Sequence, residues 1–132
     1  MRITNRARTR RSIEITTYAE VVLATAASDA QAPAFGNLFV QTEILDKRHA
    51  ILCTRRPRAQ SDPAPWMFHL MATHGAVAEP CSYETDRMKF VGRGKSVFAP
   101  QAMLDSSPLS DTAGSVLDPI VAIRQRVTID PS

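Results

Sequence analysis

Alternation of apolar and polar side chains with a period of two is the feature that most constrains the fold of this chain. It is clearest over residues 11–23, where Ile13, Ile15 and Val21 alternate with Glu14 and Glu20. Residues two apart share a face of an extended strand, so this pattern predicts a half-buried β-strand. The alanine-rich end, residues 18–27, is also compatible with a helix. The β-branched residues before it favour a strand.

A second pair of alternating runs predicts a β-hairpin. Residues 38–44 and 50–54 alternate, and the short polar segment 46–48 lies between them. Two such runs joined by a few polar residues are typical of antiparallel strands. Residues 26–36, which precede the hairpin, contain Ser, Asp, Pro and Gly and are predicted to form a loop.

Two further strands are predicted after the hairpin. Residues 66–73 are apolar on both sides of the alternation, which predicts a strand covered on both faces. Residues 124–129 alternate and predict a last strand. Between them, residues 100–114 are predicted to form a long irregular loop. Asp118 is predicted to cap a short helical turn that begins at Pro119.

These segments predict the fold class. Five or six strands with long loops indicate an all-β fold, an antiparallel two-sheet sandwich. The chain has 132 residues, which suit one domain, and its 44% apolar content is enough for a core. We therefore treat residues 1–132 as a single β-sandwich segment. Because strands are predicted close to both ends, we expect an incomplete fragment of a larger sheet, whose unpaired edges favour association.

Charge and hydropathy exclude several classes of function. The net charge is +3, but the basic residues are scattered and lack an aromatic stacking platform, so no nucleic-acid binding is predicted. The longest apolar run, residues 19–27, is too short to span a bilayer, and the Arg-rich N-terminus is not followed by the apolar core of a signal peptide. The sequence predicts a cytoplasmic protein with no direct membrane insertion.

The cysteine and histidine residues do not predict a metal site. Cys53 and Cys81 lack metal-ligand spacing, so we predict no structural metal, no cofactor and two reduced thiols, with a single disulfide as the alternative. His69 is interpreted as a packed, hydrogen-bonded residue rather than a catalytic base. His74 is interpreted as solvated.

The densest group of polar side chains lies at residues 82–94. On an extended backbone, Glu84, Asp86 and Met88 would share one face, and Tyr83 and Arg87 would lie on the other. Gly92 and Gly94 would turn the backbone and present Arg93. An aromatic ring, carboxylates and guanidinium groups can bind sugar hydroxyls, but an internal network of salt bridges and turns explains the same residues. The candidate substrate-binding residues are Tyr83, Glu84, Asp86, Arg87 and Arg93.

Several of these segments together resemble a known family. They are NRARTRRSIEITTYAEVVL, FGNLFVQTE, the TRRPR corner, YETDRMKFVGRG and GSVLDPIVAIRQR. In this order they resemble the β-sandwich portion of the phosphorylase-like domain of cyclic β-1,2-glucan synthases, which is related to cellobiose and chitobiose phosphorylases. The YETDR–F–GRG block and the LDP segment are the most specific parts.

The resemblance implies a galactose-mutarotase-like β-supersandwich that accompanies a helical (α/α)₆ barrel. It implies a parent enzyme, a glycosyltransferase and glycoside phosphorylase of the inner membrane, that acts on β-1,2-glucan through a carboxylic general acid. This chain has no counterpart of the barrel. Inverting chemistry needs two separated groups, and Glu84 and Asp86 on one strand lie too close together.

We therefore predict no catalytic residue in this chain and interpret it as a structural or carbohydrate-binding segment. Its expected partners are β-glucan or the helical barrel of the parent enzyme, and a homo-oligomer is a further expectation. The alternative is a stand-alone interaction or oligomerisation module that uses exposed sheet edges.

Overall fold

Eight strands and three short α-helices make up the chain, and a computed structural model describes all of residues 1–132. In order, they are β1 (Arg11–Thr16), β2 (Ala19–Glu20), α1 (Ala26–Gln31), α2 (Pro33–Asn37), β3 (Val40–Leu45), β4 (Ala50–Arg55), β5 (Trp66–Leu70), β6 (Val77–Ala78), β7 (Ser82–Asp86), α3 (Arg87–Val91) and β8 (Pro119–Ile129). Two 3₁₀ turns, Asp46–Arg48 and Gln101–Met103, complete the list. None of the helices has both the length and the hydropathy of a membrane-spanning segment.

The strands form two antiparallel sheets, as the sequence predicted. In the larger sheet β8 is central, with β1 and β2 along one side and β6 and β7 along the other. The smaller sheet has the order β3–β4–β5, and its first two strands are the predicted hairpin. His49, at the end of the connecting turn, has φ 49°, a left-handed conformation that suits such a turn.

The core between the sheets is apolar and is supplied by both of them. The larger sheet contributes Tyr83, Val121 and Ile123, and the smaller contributes Ile51 and Cys53. All five side chains are at most 2% exposed. Alternating residues of β8 therefore bury one face of the larger sheet here.

A second cluster covers the opposite face of the larger sheet. Ile120 and Ala122 of β8 pack there with Phe90 and Val91 of α3 and with Leu109 from the following loop. Since both of its faces are covered, β8 is buried almost continuously from Pro119 to Gln125. Such an uninterrupted run is the pattern expected of a strand packed on two sides.

Three sequence predictions about local structure are wrong. The predicted loop at residues 26–36 contains α1, whose Thr25 hydroxyl accepts from the Ser28 amide, and α2, which begins with Pro33. Asp118 does not cap a helical turn, because Pro119 begins β8. The strand predicted at residues 66–73 ends at Leu70 and lies at a sheet edge rather than between covered faces.

The long loop predicted at residues 100–114 contains the 3₁₀ turn Gln101–Met103 and is otherwise irregular, and it is bound to both sheets. The Asp111 amide donates to the Tyr83 carbonyl at 2.8 Å, and Gly114 exchanges backbone hydrogen bonds with Thr42 of β3 at 2.9 and 2.8 Å. Between these points, the Thr112 carbonyl accepts from the Thr85 hydroxyl. We call residues 109–114 the strap, since they cross from β7 to β3.

Replacing Ile123 with alanine should destabilise the fold by about 2–5 kcal/mol, because a fully buried side chain leaves a cavity. Urea denaturation followed by circular dichroism measures the change. Leu117→Ala is the control, since Leu117 is 80% exposed and its loss should stay within about 0.5 kcal/mol. Equal effects of the two substitutions would contradict the two-sheet core.

Candidate functional site

The predicted polar stretch divides in the structure into a buried strand, a short helix and an exposed turn. Ser82 to Thr85 are all buried in β7, which pairs with β8 in a register that becomes irregular between Glu84 and Asp86. The extended backbone therefore stops at Asp86, where α3 begins. The alternation of two strand faces therefore holds as far as Thr85. Arg87 and Met88 were predicted to continue these faces but lie in α3, so this part of the prediction is wrong.

Tyr83 points into the core between the sheets and is 2% exposed. Its hydroxyl donates to Asp46 Oδ1 at 2.9 Å, which ties β7 to the turn of the hairpin. Burial raises the pKa of Tyr83, and the hydrogen bond to Asp46 raises it further. Its ring is therefore part of the fold and offers no face to a solvent-borne ligand.

Glu84 is also buried, with 2% of its surface exposed. Its Oε1 accepts from the backbone amides of Thr85 and Asp86, each at 3.0 Å, and its Oε2 accepts from the Ser110 hydroxyl of the strap. These donors satisfy a carboxylate that would otherwise be costly to bury. Glu84 holds the irregular end of β7 in place.

Asp86 and Arg87 lie at the surface where β7 becomes α3. The Asp86 side chain caps α3 by accepting from the Met88 amide at 2.9 Å. Arg87 Nε lies 3.3 Å from Glu20 Oε1 and 3.9 Å from Asp118 Oδ2. The side chains of Glu20 and Asp118 are 59% and 54% exposed. Their ion pairs are therefore open to water and to ligands.

Tyr18 lies next to this group of exposed charges. Its hydroxyl donates to Glu20 Oε1 at 3.1 Å, and its ring lies 5.0 Å from that of Phe90. Burial raises the pKa of Asp118, and Arg87 opposes the change. Glu20 and Asp118 line a cleft together with Asp29 and Asn37. We call Tyr18, Glu20, Arg87 and Asp118 the Arg87 rim.

Arg93 lies in the exposed turn after α3 and takes part in none of the ion pairs. Gly92 and Gly94 have φ of 87° and 70°, as the predicted turn requires. A Cβ on Gly92 would lie 2.7 Å from Gln101 Cβ, so only glycine fits there. The five residues of α3 and Gly92 separate Arg93 from Asp86 along the chain. Of the five predicted site residues, Asp86, Arg87 and Arg93 are accessible, and Tyr83 and Glu84 are not.

Sequence reasoning missed Glu20, Asp118 and Tyr18 as neighbours of Arg87. Tyr18 precedes β2, Glu20 is its last residue, and Asp118 precedes β8, with which β2 pairs. The pairing of β2 and β7 with the same end of β8 brings them together. The only signal in the sequence was the LDP segment, which marks the beginning of β8.

The remaining titratable groups show no sign of a metal or nucleophile site. No group of three or more His, Cys, Asp or Glu side chains is arranged to hold a metal. Cys53 and Cys81 are free thiols, and burial raises the pKa of Cys53 to about 11, which makes it unreactive at neutral pH. His69 Nε2 lies 2.8 Å from the Thr17 hydroxyl, which joins the smaller sheet to the larger one.

Comparisons with known proteins agree with the architecture. The model of the glycosyl hydrolase 94 supersandwich domain matches residues 1–132. The chain is 36% identical over 119 residues to the cyclic beta-(1,2)-glucan synthase NdvB of Rhizobium meliloti (strain 1021). That alignment covers 90% of this chain and 4% of the relative's length. The matched region is thus a small part of that relative.

Glu84→Ala should destabilise the chain more than Asp86→Ala. Glu84→Ala leaves the amides of Thr85 and Asp86 without their acceptor. Each buried amide without an acceptor lowers the free energy of unfolding by about 1–3 kcal/mol. Asp86→Ala removes a helix cap, which costs about 0.5–2 kcal/mol. Urea denaturation of both variants measures the difference, and a larger loss for Asp86→Ala would contradict the structural role of Glu84.

Stability should decrease as the pH falls below about 6.5 because of His69. Burial lowers the pKa of His69 from the ordinary value of 6.5, so below that pH the unfolded chain binds the extra proton first. Urea denaturation at pH 7.5 and pH 5.5 measures the loss, and His69→Gln should reduce it. His74→Gln is the control, because His74 is exposed. An unchanged pH dependence in His69→Gln would contradict the assignment.

Proposed function

Because the chain belongs to the glycosyl hydrolase 94 supersandwich family, we propose that it is a non-catalytic β-sandwich segment of an enzyme that acts on β-1,2-glucan. The observation that carries the proposal is the match of the family model to all of residues 1–132. The name of the relative, a cyclic beta-(1,2)-glucan synthase, supports the substrate class.

The side chains of the polar stretch support a scaffold role. Tyr83 donates to Asp46 and so holds β7 to the hairpin turn. Glu84 accepts from Ser110 and so holds β7 to the strap. We assign to this sandwich the task of packing against the helical barrel of the parent enzyme. In this proposal, the reacting groups belong to the barrel, and the chain contributes none of them.

The Arg87 rim supports a second task, direct contact with the glucan. Sugar hydroxyls bind well to exposed carboxylates and guanidinium groups, and both are present within 4 Å of each other at Arg87, Glu20 and Asp118. We assign to the same task Asp86 and Arg93, which are accessible before and after α3. Tyr83 and Glu84, the buried residues of the predicted site, act as positioning residues beneath it.

A stand-alone interaction or oligomerisation module is the second candidate function. The observation that favours it is the uncovered edge of β5, where Trp66 and Phe68 are 72% and 66% exposed. The two functions are compatible, since this edge and the Arg87 rim involve different strands.

The glucan task predicts that Arg87→Ala weakens the binding of β-1,2-gluco-oligosaccharides about 10-fold or more, the ratio expected when a charge-assisted hydrogen bond is lost. Isothermal titration calorimetry measures the affinity. Arg10→Ala is the matched control, because Arg10 forms an exposed ion pair with Asp130 away from the rim, and it should bind as the unmodified chain does. No binding by the unmodified chain would remove the glucan task, and consumption of phosphate by the isolated chain would overturn the non-catalytic assignment.

A further inference from the structure

The arginines at the start of the chain have no role in the function proposed above. Residues 1–11, which we call the arginine loop, contain five arginines and no acidic side chain. The whole chain has 16 basic and 13 acidic side chains, so the remainder has 11 basic and 13 acidic ones and a net charge of −2. The positive charge of the protein therefore comes entirely from this short segment.

The arginine loop is part of the fold because Asn5 fastens it to the larger sheet. Asn5 is 7% exposed, and its Nδ2 donates to the carbonyls of Thr9 and Ile129, each at 2.9 Å. Its Oδ1 accepts from the Ala7 amide at 3.0 Å. The loop is thus closed on itself and held at the end of the larger sheet where β1 begins and β8 ends.

Most of the charge on the loop has no counter-charge within the chain. All five arginines are exposed, and Arg10 forms an ion pair with Asp130. The other four take part in none of the ion pairs. Glu14, the first acidic residue after the loop, is already paired with Arg124 and Arg126. Four guanidinium groups therefore remain available to an anion from outside the chain.

Two of these arginines line one cleft together with apolar side chains. The cleft has a volume of about 280 Å³, and its walls include Arg6, Arg11, Ile3, Ile13 and Ile129. A guanidinium group binds phosphate oxygens through paired hydrogen bonds, and apolar walls suit the hydrocarbon part of a phosphate ester. Ile3 is 41% exposed, so the apolar surface continues outside the cleft. The cleft matches an amphipathic phosphate ester.

This chemistry favours a phospholipid surface over other polyanions. Residues 1–12 contain no aromatic ring on which a nucleic-acid base could stack. An acidic protein surface would neutralise the arginines but would leave the apolar walls of the cleft without a partner. A phospholipid supplies both phosphate and hydrocarbon, and neighbouring anionic headgroups reach the arginines outside the cleft.

We propose that the arginine loop binds the surface of an anionic phospholipid bilayer, with one headgroup phosphate in the cleft lined by Arg6 and Arg11. Ile3 contacts the adjoining hydrocarbon, and the remaining arginines contact neighbouring headgroups. The end of β8 then faces the bilayer. Because Asp118 precedes the beginning of β8, the Arg87 rim lies at the end of the sheet away from the bilayer.

Co-sedimentation with vesicles tests the proposal, with phosphatidylcholine alone and with about one third phosphatidylglycerol added. The unmodified chain should bind only the anionic vesicles, and raising the salt from about 50 mM to about 500 mM should release it. Each basic residue near an anionic surface strengthens binding about fivefold, so Arg6→Gln/Arg11→Gln should bind about 30-fold more weakly. Circular dichroism establishes that the variant is folded.

Arg56→Gln/Arg58→Gln is the matched control, because it removes the same charge elsewhere. The preceding residue, Arg55, donates to the carbonyl of Leu23, which follows β2 near the beginning of β8. This control should bind the anionic vesicles as the unmodified chain does. Equal losses in the two double variants would show that binding follows net charge alone and would overturn the assignment to the arginine loop. Equal binding to both kinds of vesicle would overturn it as well.

Two competition measurements separate the bilayer from other anions. Glycerol 3-phosphate at millimolar concentration should not displace the chain from the vesicles, because a single headgroup lacks the neighbouring charges of the surface. Displacement would overturn the bilayer in favour of a free phosphate ester. Fluorescence anisotropy with a single-stranded oligonucleotide and with polyglutamate should show weaker binding than the vesicles do at the same salt. Tighter binding to either one, lost in Arg6→Gln/Arg11→Gln, would assign the loop to nucleic acid or to an acidic protein instead.

Discussion

The burial of Arg124 is the constraint on which the larger sheet depends. Arg124 lies in the centre of β8, and its side chain is only 4% exposed. A guanidinium group in such a place must be paired, because an uncompensated buried charge costs several kcal/mol. Its Nε lies 3.4 Å from Glu14 Oε1 and donates to the Thr16 hydroxyl at 3.0 Å. Its terminal nitrogens donate to the carbonyls of Ala102 and Ser107. One side chain thus fixes both the register of β1 and the path of the loop that leads to the strap.

The regular part of the fold could be predicted because its signal is local. The β3–β4 hairpin and β1 follow from the period-two alternation, and the turn at residues 46–48 follows from its polarity. The exposure of β5 could not be predicted, because an apolar run such as WMFHL does not distinguish an edge strand from a strand covered on both faces. The start of β8 was missed for a similar reason. Asp118 and Pro119 favour a helical turn locally, and pairing of the following residues with β2 and β7 overrides that preference.

The candidate site was predicted in composition but not in arrangement. The prediction placed Glu84 and Asp86 on one open face of an extended strand. In the structure, Glu84 accepts hydrogen bonds from two adjacent backbone amides, and Asp86 caps a helix. Ser110, which donates to Glu84, lies 26 residues further along the chain. Nothing in the local sequence indicates that partner. The accessible charges around Arg87 come from three separate segments, and only the topology of the larger sheet brings them together.

The strap has a consequence for how the two sheets come apart. Thr42 of the smaller sheet donates its hydroxyl to that of Thr85 in the larger sheet at 2.8 Å, and both threonines also bind the strap. The sheets are therefore joined by a polar clasp as well as by an apolar core. Neither sheet can unfold by itself without breaking these hydrogen bonds between the threonines and the strap. This arrangement favours a single cooperative unfolding transition, in which the protected amide protons of the two sheets exchange with the same free energy of opening.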